Sequence, residues 1–238
     1  MPLQAVEPQR LYRQIAEQLR SAIVAGEFAV GARLPAERDL AKQLGVSRPS
    51  VREALIALEV EAWVEVRTGS GVYVLERSGS RGTGAEQLAP AEWGPLELIR
   101  ARRVVEGETA AIAAARAKRR DTEAMRAAIN AMVEDADQGM MPIEGDRAFH
   151  CAIVQASGNS VLIETVQAFW DSRRGPLFMR LGGHFETLPS WRAAIVEHHA
   201  ILEAIRARDA AAARSAMHIH MDKSHARFSA SWRRTKRS

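Results

Sequence analysis

One stretch of the sequence divides the chain into two parts with different patterns. Residues 77 to 92, RSGSRGTGAEQLAPAE, are rich in glycine and serine and show no apolar periodicity, which is typical of a linker. The preceding residues, 1–76, mix helical and strand patterns. After the linker, apolar residues recur at spacings of three and four, which indicates helices throughout. We therefore predict an N-terminal α+β domain over 1–76, an all-α domain over 93–232 and a basic tail at 233–238.

The composition excludes several classes of protein. The chain has 238 residues, of which 47% are hydrophobic and 26% charged, so it can bury one or two cores and is not mainly disordered. Its single cysteine, Cys151, has no partner for an internal disulfide. No apolar run approaches the roughly 20 residues of a membrane-spanning helix, and the N-terminus lacks the apolar core of a signal peptide. We expect a cytoplasmic protein with no membrane partner.

The net charge of +4 has its origin at the C-terminus. Residues 223–238 carry six basic residues and no acidic one, whereas residues 1–76 carry nine basic and ten acidic residues. The pI of about 9.7 is therefore set by the tail, which we interpret as a solvated end rather than a binding arm. Within the N-terminal part, residues 33–52 carry five basic and two acidic residues, so positive charge is concentrated in that segment.

The N-terminal domain has the pattern of a winged helix-turn-helix. Apolar residues recur at helical spacing from residue 11 to about residue 26. A second helix has Pro35 at its start and stops at Gly45, and a third begins at Ser47, a favourable N-cap residue. The short turn between them has helix-turn-helix spacing. Alternating valines on both sides of a glycine-containing tip at 68–71 predict a hairpin, the wing of the domain.

The third helix carries side chains suited to reading DNA near its N-terminus. Arginine can bond guanine O6 and N7 together, and a glycine tip lets backbone N–H groups approach a phosphate closely. Each feature alone also fits a solvated helix face or a tight turn, but their order along the chain favours DNA binding. The side chains concerned are Ser47, Arg48, Ser50 and Arg52 in the helix and Thr68 beside the tip.

At these residues the chain resembles the N-terminal domain of GntR-type bacterial transcription regulators. The resemblance is carried by GARLPAERDLAKQLGVSRPSVREALIALE and VEVRTGSGVYV, and it covers nearly the whole domain. One departure is Ala62, where the family usually has glycine. A positive φ at that position would strain the backbone by about 1 kcal/mol. The resemblance implies DNA contacts at Arg38, Ser47, Arg48, Ser50, Arg52, Thr68 and Gly69.

In the second part, four polar residues fall where helices would bring them together. Asp146 and His150 are four residues apart, so on a helix they share a face and can bind one metal, although a hydrogen-bonded surface pair is the commoner result of this spacing. His198 and His220 lie on apolar stripes, and buried imidazoles need partners. The set would suit zinc, nickel, manganese or iron. The six helices predicted here span about 95–118, 121–138, 142–157, 160–182, 189–208 and 209–232.

The other histidines are less suitable candidates. His199 and His218 lie within two residues of the stripe positions, but His218 shares a polar face, which disfavours it. His184 falls in a predicted loop and His225 lies near the tail.

This second part resembles the FCD ligand-binding domain of the FadR branch of the same family. The resemblance is carried by ELIRARRVVEGETAAIAAARA, DRAFHCAIVQASGNSVL and EHHAILEAIRARDAAAARSAMHIHM, and it covers almost all of residues 95 to 225. It implies metal ligation by Asp146, His150, His198 and His220, and it implies that Arg102 faces the carboxylate of an effector. FHCAIVQASGNSVLIETVQAFWDSRRGPLF is similar to regulators of hexuronate catabolism.

We therefore expect a mainly α, metal-dependent regulator. It would act as a homodimer on a palindromic double-stranded DNA operator, as a repressor of sugar-acid catabolic genes. A carboxylate effector would complete the coordination of the metal and pair with Arg102. Near the other end of the pocket would lie Trp170 and Arg173 or Arg174, although both arginines also fit a solvated helix end.

Two alternatives stay open. A metalloenzyme could use Glu108, Glu164 or Glu197 as general base, but no spacing places any of them near the metal and the winged helix would have no purpose. A regulator with an apolar acyl ligand and no metal would have little use for four polar groups on inward faces.

Overall fold

The computed structural model describes residues 10–76 and 92–230. The predicted basic tail at 233–238 and the predicted linker, apart from residue 92, lie outside the described residues. No helix in the described ranges combines the length and apolarity needed to cross a membrane. In chain order the elements are α1 (Leu11–Val24), α2 (Glu37–Leu44), α3 (Arg48–Val60), β1 (Val64–Arg67), β2 (Gly71–Val74), α4 (Pro95–Arg116), α5 (Arg119–Asp137), α6 (Ile143–Ala156), α7 (Ser160–Ser172), α8 (Pro176–Phe185), α9 (Leu188–Arg206) and α10 (Ala210–Ser229).

The chain divides into two compact units. The described residues of the N-terminal unit are 10–76, 92–95 and a segment from much later in the chain, 175–184. The helical unit comprises 96–174 and 185–230. The sequence prediction places the segment 175–184 in the all-α domain, whereas in the structure it belongs to the N-terminal unit.

The N-terminal unit contains the predicted winged helix-turn-helix. Helix α2 ends at Gly45, whose φ of 65° is accessible to glycine without strain, and Ser47 caps α3 by accepting a hydrogen bond from the Ser50 backbone N–H. Helix α3 is buried along most of its length, against α1 and α2. Strands β1 and β2 pair antiparallel with Val64 opposite Val74, and their four valines face the core. Mixed helices and a hairpin here, followed by helices alone, confirm the predicted fold class.

Residue 62, at the junction between α3 and the wing, adopts the left-handed conformation that the sequence comparison with the family suggested. Ala62 has φ = 57° and its side chain is exposed. The left-handed region costs a residue with a Cβ roughly 1–2 kcal/mol, because the Cβ approaches the carbonyl oxygen. Because the Ala62 side chain is exposed, burial of its methyl group does not offset this strain, which lowers the free energy of unfolding.

Replacing Ala62 by glycine is therefore expected to raise the free energy of unfolding by about 0.5–1 kcal/mol. This is the strain relieved, less the extra entropy that glycine gives the unfolded chain. Chemical denaturation measures the change. The matched control is Ala25→Gly at the end of α1, where φ is −70° and no strain exists, so this variant should be destabilised. Equal changes in both variants would contradict strain at residue 62.

Of the seven helices described after the linker, six lie in the helical unit. The single helix predicted at 160–182 was wrong, because α7 ends at Ser172 and a separate helix begins at Pro176. Proline has no N–H to donate and its ring clashes with the carbonyl four residues earlier, so a helix cannot run straight through it. Around the break, α7 packs on α6, α5 packs on α6 and α9, and α10 packs on α9. This arrangement places α6, α9 and α10 around one buried point.

Candidate metal centre, effector cavity and DNA-binding surface

Four polar side chains converge inside the helical unit. Asp146 and His150 come from α6, His198 from α9 and His220 from α10. All four are buried, and one ligand atom from each lies within 4.8 Å of the others. His198 Nε2 is 3.3 Å from Asp146 Oδ1 and also 3.3 Å from His150 Nε2. The structure thus brings together the four residues that the sequence prediction named as metal ligands.

The donor set fits a divalent transition metal. Three imidazole nitrogens and one carboxylate oxygen are ligands that such ions take in proteins. Asp146 Oδ1 is buried and accepts no hydrogen bond within the described ranges, whereas Oδ2 accepts one of 3.0 Å from Arg173. The ring nitrogens of His198 and His150 lie 3.3 and 3.5 Å from Oδ1, and a cation between Oδ1 and these nitrogens would satisfy the buried acceptor.

Two glutamates hold the rings in place. Glu106 Oε2 contacts His150 Nδ1, and Glu197 Oε2 lies 2.7 Å from His220 Nδ1. Each contact leaves Nε2 of the ring available to a metal, and a carboxylate on the far nitrogen orients the ring and raises its basicity. The sequence prediction missed this role for both glutamates. Glu197 adjoins a predicted ligand in the sequence, but no periodicity links it to the ring it contacts.

The environment keeps two of the imidazoles neutral. Desolvation lowers the pKa of His198 well below its ordinary value, and it also lowers the pKa of His220. Desolvation acts on His150 in the same sense, but the negative charge of Glu106 outweighs it, so the pKa of His150 is raised. Neutral rings present the lone pairs that a metal requires.

The carboxyl groups of the cluster are held ionised. Desolvation raises the pKa of Asp146, but contact with His150 and the charge of Arg173 lower it further than burial raises it, so it lies well below its usual range. Desolvation also opposes ionisation of Glu106, yet Arg102 and His150 lower its pKa to about 2. An ionised Asp146 offers a metal an anionic oxygen at neutral pH.

A small cavity opens beside the candidate metal cluster, Asp146, His150, His198 and His220. Asp146 and His220 form part of its lining, and Arg102, Arg173 and Arg227 bring three guanidinium groups to it. Its volume is about 30 Å³, which is room for one or two water molecules. The remaining lining residues are Phe185, Glu186, Ser190, Trp191, Ala194, Ser224 and Phe228. Among the lining residues, Ser224 lies one helical turn after His220 and Arg227 lies two turns after it, a spacing that could have identified both from sequence.

The structure separates the four residues predicted to contact an effector. Arg102 and Arg173 are buried and line the cavity. Trp170 is buried with the Arg102 guanidinium 4.1 Å from its ring centroid, so it supports that arginine and is not part of the lining. Arg174 is 57% exposed and pairs with Glu144 at the surface. Arg174 therefore lies at a solvated helix end. Arg173, in contrast, lies where a ligand in the cavity would be within reach of its guanidinium group.

The other histidines lie outside the cluster. His199 is exposed, and His218 lies beside Gly107 of α4. The loop predicted around His184 was wrong, because this residue is in α8, where Nε2 is 2.6 Å from Glu59 Oε2.

The glutamates that the enzyme alternative requires are badly placed for catalysis. Glu108 pairs with Arg214 at the surface and Glu164 is exposed. Burial opposes ionisation of Glu197, but His220 and Arg227 lower its pKa below its ordinary value, which weakens it as a base. No observation in the described part of the chain favours the enzyme.

The N-terminal unit exposes most of the residues predicted to contact DNA. The side chain of Arg38 is 82% exposed and that of Arg48 is 53% exposed. Ser47 and Ser50 share a hydrogen bond of 2.8 Å at the start of α3, and Thr68 and Gly69 are exposed at the tip of the wing. Gly69 has φ = 82°, which the turn requires and which glycine adopts freely.

Arg52 departs from this exposed set. Its side chain is 2% exposed, and Nε and Nη2 donate hydrogen bonds of 2.7 and 2.8 Å to the two carboxylate oxygens of Glu37. Glu37 also lies 3.5 Å from the exposed Arg48 guanidinium. In this structure Arg52 therefore connects α3 to α2 and does not face solvent.

A groove beside these residues has a further basic side chain. Arg33, Arg38 and Arg48 line a cavity of about 460 Å³ between α2, α3 and the start of β2. A Cβ added to Gly71 would clash with Arg33 Nε, so glycine at this position lets the arginine lie across the wing. The sequence prediction counted Arg33 in the local charge but did not assign it a contact.

Comparisons with known proteins agree with both halves of the molecule. Residues 11–74 match the family described as bacterial regulatory proteins, gntR family, and residues 97–223 match the FCD domain. Over 222 residues the chain is 36% identical to the Uxu operon transcriptional regulator of Escherichia coli (strain K12), covering 92% of this chain and 86% of that protein.

Two further relatives and one solved structure show the same likeness. The Exu regulon transcriptional regulator of Escherichia coli (strain K12) is 36% identical over 226 residues, 92% of this chain and 85% of its own. The Uxu operon regulator of Haemophilus influenzae is 33% identical over 214 residues, 90% and 80% of the two chains. Among solved structures, E. coli McbR/YncC matches with a TM-score of 0.50 at 25% identity, covering 92% of this chain and 97% of that chain.

Proposed function

Because the chain belongs to the GntR family of bacterial regulatory proteins, in the FadR branch that carries an FCD domain, we propose that it represses sugar-acid catabolic genes and is released from its operator by a hexuronate-like carboxylate. As a member of this family it is a DNA-binding transcriptional regulator. The effector class rests on its relatives, two of which are named for the Uxu operon and one for the Exu regulon.

The observation that carries the effector proposal is the charge of the cavity. Three buried or half-buried arginines, Arg102, Arg173 and Arg227, line a space whose remaining polar lining includes Asp146 and His220 of the metal cluster. A planar guanidinium binds a carboxylate through paired hydrogen bonds, and the fork geometry selects carboxylates over neutral groups. An acyl chain would bury these charges against carbon, so the lining favours a small anion over an apolar ligand.

The metal would be held by Asp146, His150, His198 and His220. Bound there, a divalent ion supplies open coordination positions that carboxylate and hydroxyl oxygens of a sugar acid can occupy. Glu106 and Glu197 keep the ring orientations, and Arg173 holds the second oxygen of Asp146. The arginines of the cavity would bind and orient the carboxylate of the ligand.

In the DNA-binding unit, the exposed residues of α3 and of the wing would contact different parts of the DNA. Arg48, Ser47 and Ser50 stand at the N-terminus of α3, from which a recognition helix reaches base edges in the major groove. Arg38 offers a phosphate contact, and the backbone at Thr68 and Gly69 can approach the sugar-phosphate chain. Arg52 acts indirectly, since it fixes Glu37 beneath Arg48.

We propose a homodimer on a palindromic operator, in which each chain contributes one recognition helix. Two such helices reach successive major-groove faces only if the dimer holds them about one helical turn of DNA, roughly 34–36 Å, apart. We propose that the dimer has two arrangements, of which one fits the operator. An effector changes operator affinity only if the effector binds these two arrangements with different affinities.

Binding of uronates is the direct test. Wild-type protein is loaded with metal and bound to an operator duplex obtained by in vitro selection from random DNA. D-Glucuronate or D-galacturonate is expected to weaken operator binding about 5–150-fold, the usual range of coupling between two sites. Fluorescence anisotropy measures the change. Glucose, which lacks the carboxylate, is the control and should have no effect, and Arg227→Met should reduce the uronate response.

The outcomes separate the parts of the proposal. Selection of no sequence-specific duplex would contradict operator recognition. Specific binding that neither uronate alters would contradict the effector class and leave the DNA-binding assignment intact.

A further inference from the structure

Helix α8 occupies an unusual place in the chain. Residues 175–184 belong to the N-terminal unit, although the residues on either side of them belong to the helical unit. Within the N-terminal unit the Leu177 backbone N–H donates a hydrogen bond of 3.0 Å to Glu92 Oε1, and the Glu92 backbone carbonyl accepts one of 2.9 Å from the Tyr12 hydroxyl. The first turn of α8 is therefore hydrogen-bonded to Glu92, three residues before α4, and through Glu92 to α1.

The other end of α8 contacts the recognition helix. His184 Nε2 lies 2.6 Å from Glu59 Oε2, and the two side chains are only 15% and 8% exposed. The second oxygen of Glu59 accepts a hydrogen bond of 3.1 Å from the Val66 backbone N–H in β1. Glu59 thus joins α3 to the wing, and His184 holds the carboxylate that makes this connection. A partly buried, charge-assisted contact of this kind fixes geometry more firmly than a neutral one.

The segment that carries α8 begins and ends at one ion pair of the effector cavity. Arg173 and Glu186, which flank the segment, are 2.7 Å apart, and both line the cavity. Arg173 also donates to Asp146 of the metal cluster. Desolvation raises the pKa of Glu186 above its ordinary value despite the nearby positive charge of Arg173.

The cavity is too small for a sugar acid while this pair is closed. Its volume of about 30 Å³ accommodates one or two water molecules, and a hexuronate is several times larger. A ligand carboxylate that binds Arg173 must compete with Glu186 for the same guanidinium donors. Opening of the pair is therefore the expected accompaniment of ligand entry, and it removes the contact that joins the residues on the two sides of the α8 segment.

We propose that His184 is a positioning residue of the DNA-binding unit and that α8 transmits the state of the Arg173–Glu186 pair to it. When the pair is closed, α8 is held so that His184 fixes Glu59, and Glu59 fixes the wing relative to α3. When the pair opens, this restraint is weakened and operator affinity falls. The proposal rests on the proposed function, since it assigns the route by which the same cavity regulates the same DNA-binding surface.

A double-mutant cycle tests the route without any ligand. Glu186→Gln removes the charge of the pair and is expected to weaken operator binding about tenfold, as ligand entry would. His184→Ala is expected to weaken it by a similar factor. In the double variant the second change should add nothing, because the restraint it acts through is already lost. His184→Gln keeps a hydrogen-bond donor for Glu59 and should recover most of the affinity, which a purely steric role of the ring would not predict.

The matched control is Glu144→Gln, which removes the exposed partner of Arg174 next to the same segment. It should leave operator affinity unchanged. Wild-type affinity in His184→Ala, or strictly additive losses in the double variant, would overturn the proposal. Neither result would affect the uronate response of the wild-type protein, so failure of this route and failure of the proposed function are distinguishable.

Discussion

Metal bound to the purified protein is expected to fall from about one ion per chain to none when His198 and His220 are both replaced by alanine. The two imidazoles come from different helices, and both are neutral and aimed at the cluster, so their removal leaves only Asp146 and His150 on α6. A pair of ligands on one helix is a weak site compared with four ligands from three helices. Elemental analysis of protein purified without chelator measures the loss.

The neighbouring histidines provide the matched control. His199 is exposed beside one ligand, and His218 lies two residues before the other against α4. The variant with His199→Ala and His218→Ala removes the same number of imidazoles from the same two helices and should keep its metal. Glu197→Gln, which loosens the His220 ring, should lower metal affinity about 10–100-fold.

Stability gives an independent measure of the same site. At a free metal concentration of about 100 times the dissociation constant, binding adds about 2.7 kcal/mol to the free energy of unfolding. Chelation should remove this increment from the wild type and from the His199/His218 control but not from the His198/His220 variant. Equal metal content in the two double variants would mean that the cluster is a buried hydrogen-bond network without an ion.

The second large effect is expected at Arg52. Alanine at this position removes the bidentate partner of Glu37 in the interior of the winged helix and leaves the carboxylate buried. Breaking a buried ion pair in this way costs about 3–5 kcal/mol, because the remaining charge keeps its desolvation penalty. Thermal or urea denaturation should show this loss in the N-terminal unit.

Arg48→Ala is the comparison that separates folding from recognition. The Arg48 side chain is 53% exposed and lies 3.5 Å from Glu37, so its contribution to stability is small. Its removal should leave the unfolding transition nearly unchanged and weaken specific operator binding by about 1–3 kcal/mol, which is roughly 5–150-fold. If Arg52→Ala unfolded like the wild type but lost operator affinity, Arg52 would be a direct DNA contact despite its burial here.

The fold was predictable from sequence because its signals are local. Gly45 and Ser47 mark the end of one helix and the start of the next through backbone preferences of the residues themselves, and the valines of the wing alternate because a strand has two faces. The convergence of the four polar residues was predictable for a related reason. A spacing of four residues puts Asp146 and His150 on one helix face. His198 and His220 each lie on an apolar stripe, which has to face inward.

The parts that escaped prediction depend on contacts distant in sequence. Nothing in the spacing of α3 distinguishes Arg52 from Arg48, because burial of the former depends on Glu37 from another helix. The partners of Glu106 and Glu197 likewise lie on other helices. The segment 175–184 follows residues of the helical unit in the sequence. Only its tertiary contacts assign it to the N-terminal unit.

A sensing cavity that is closed at rest sets the concentration at which a regulator responds. When only a fraction of molecules is open at any moment, the apparent dissociation constant equals the intrinsic one divided by that fraction. The strength of the Arg173–Glu186 pair would then fix the open fraction, whereas the metal ligands and the arginine geometry fix which anions bind. The induction threshold could thus drift by substitution at Glu186 alone, while selectivity among sugar acids stays as it is.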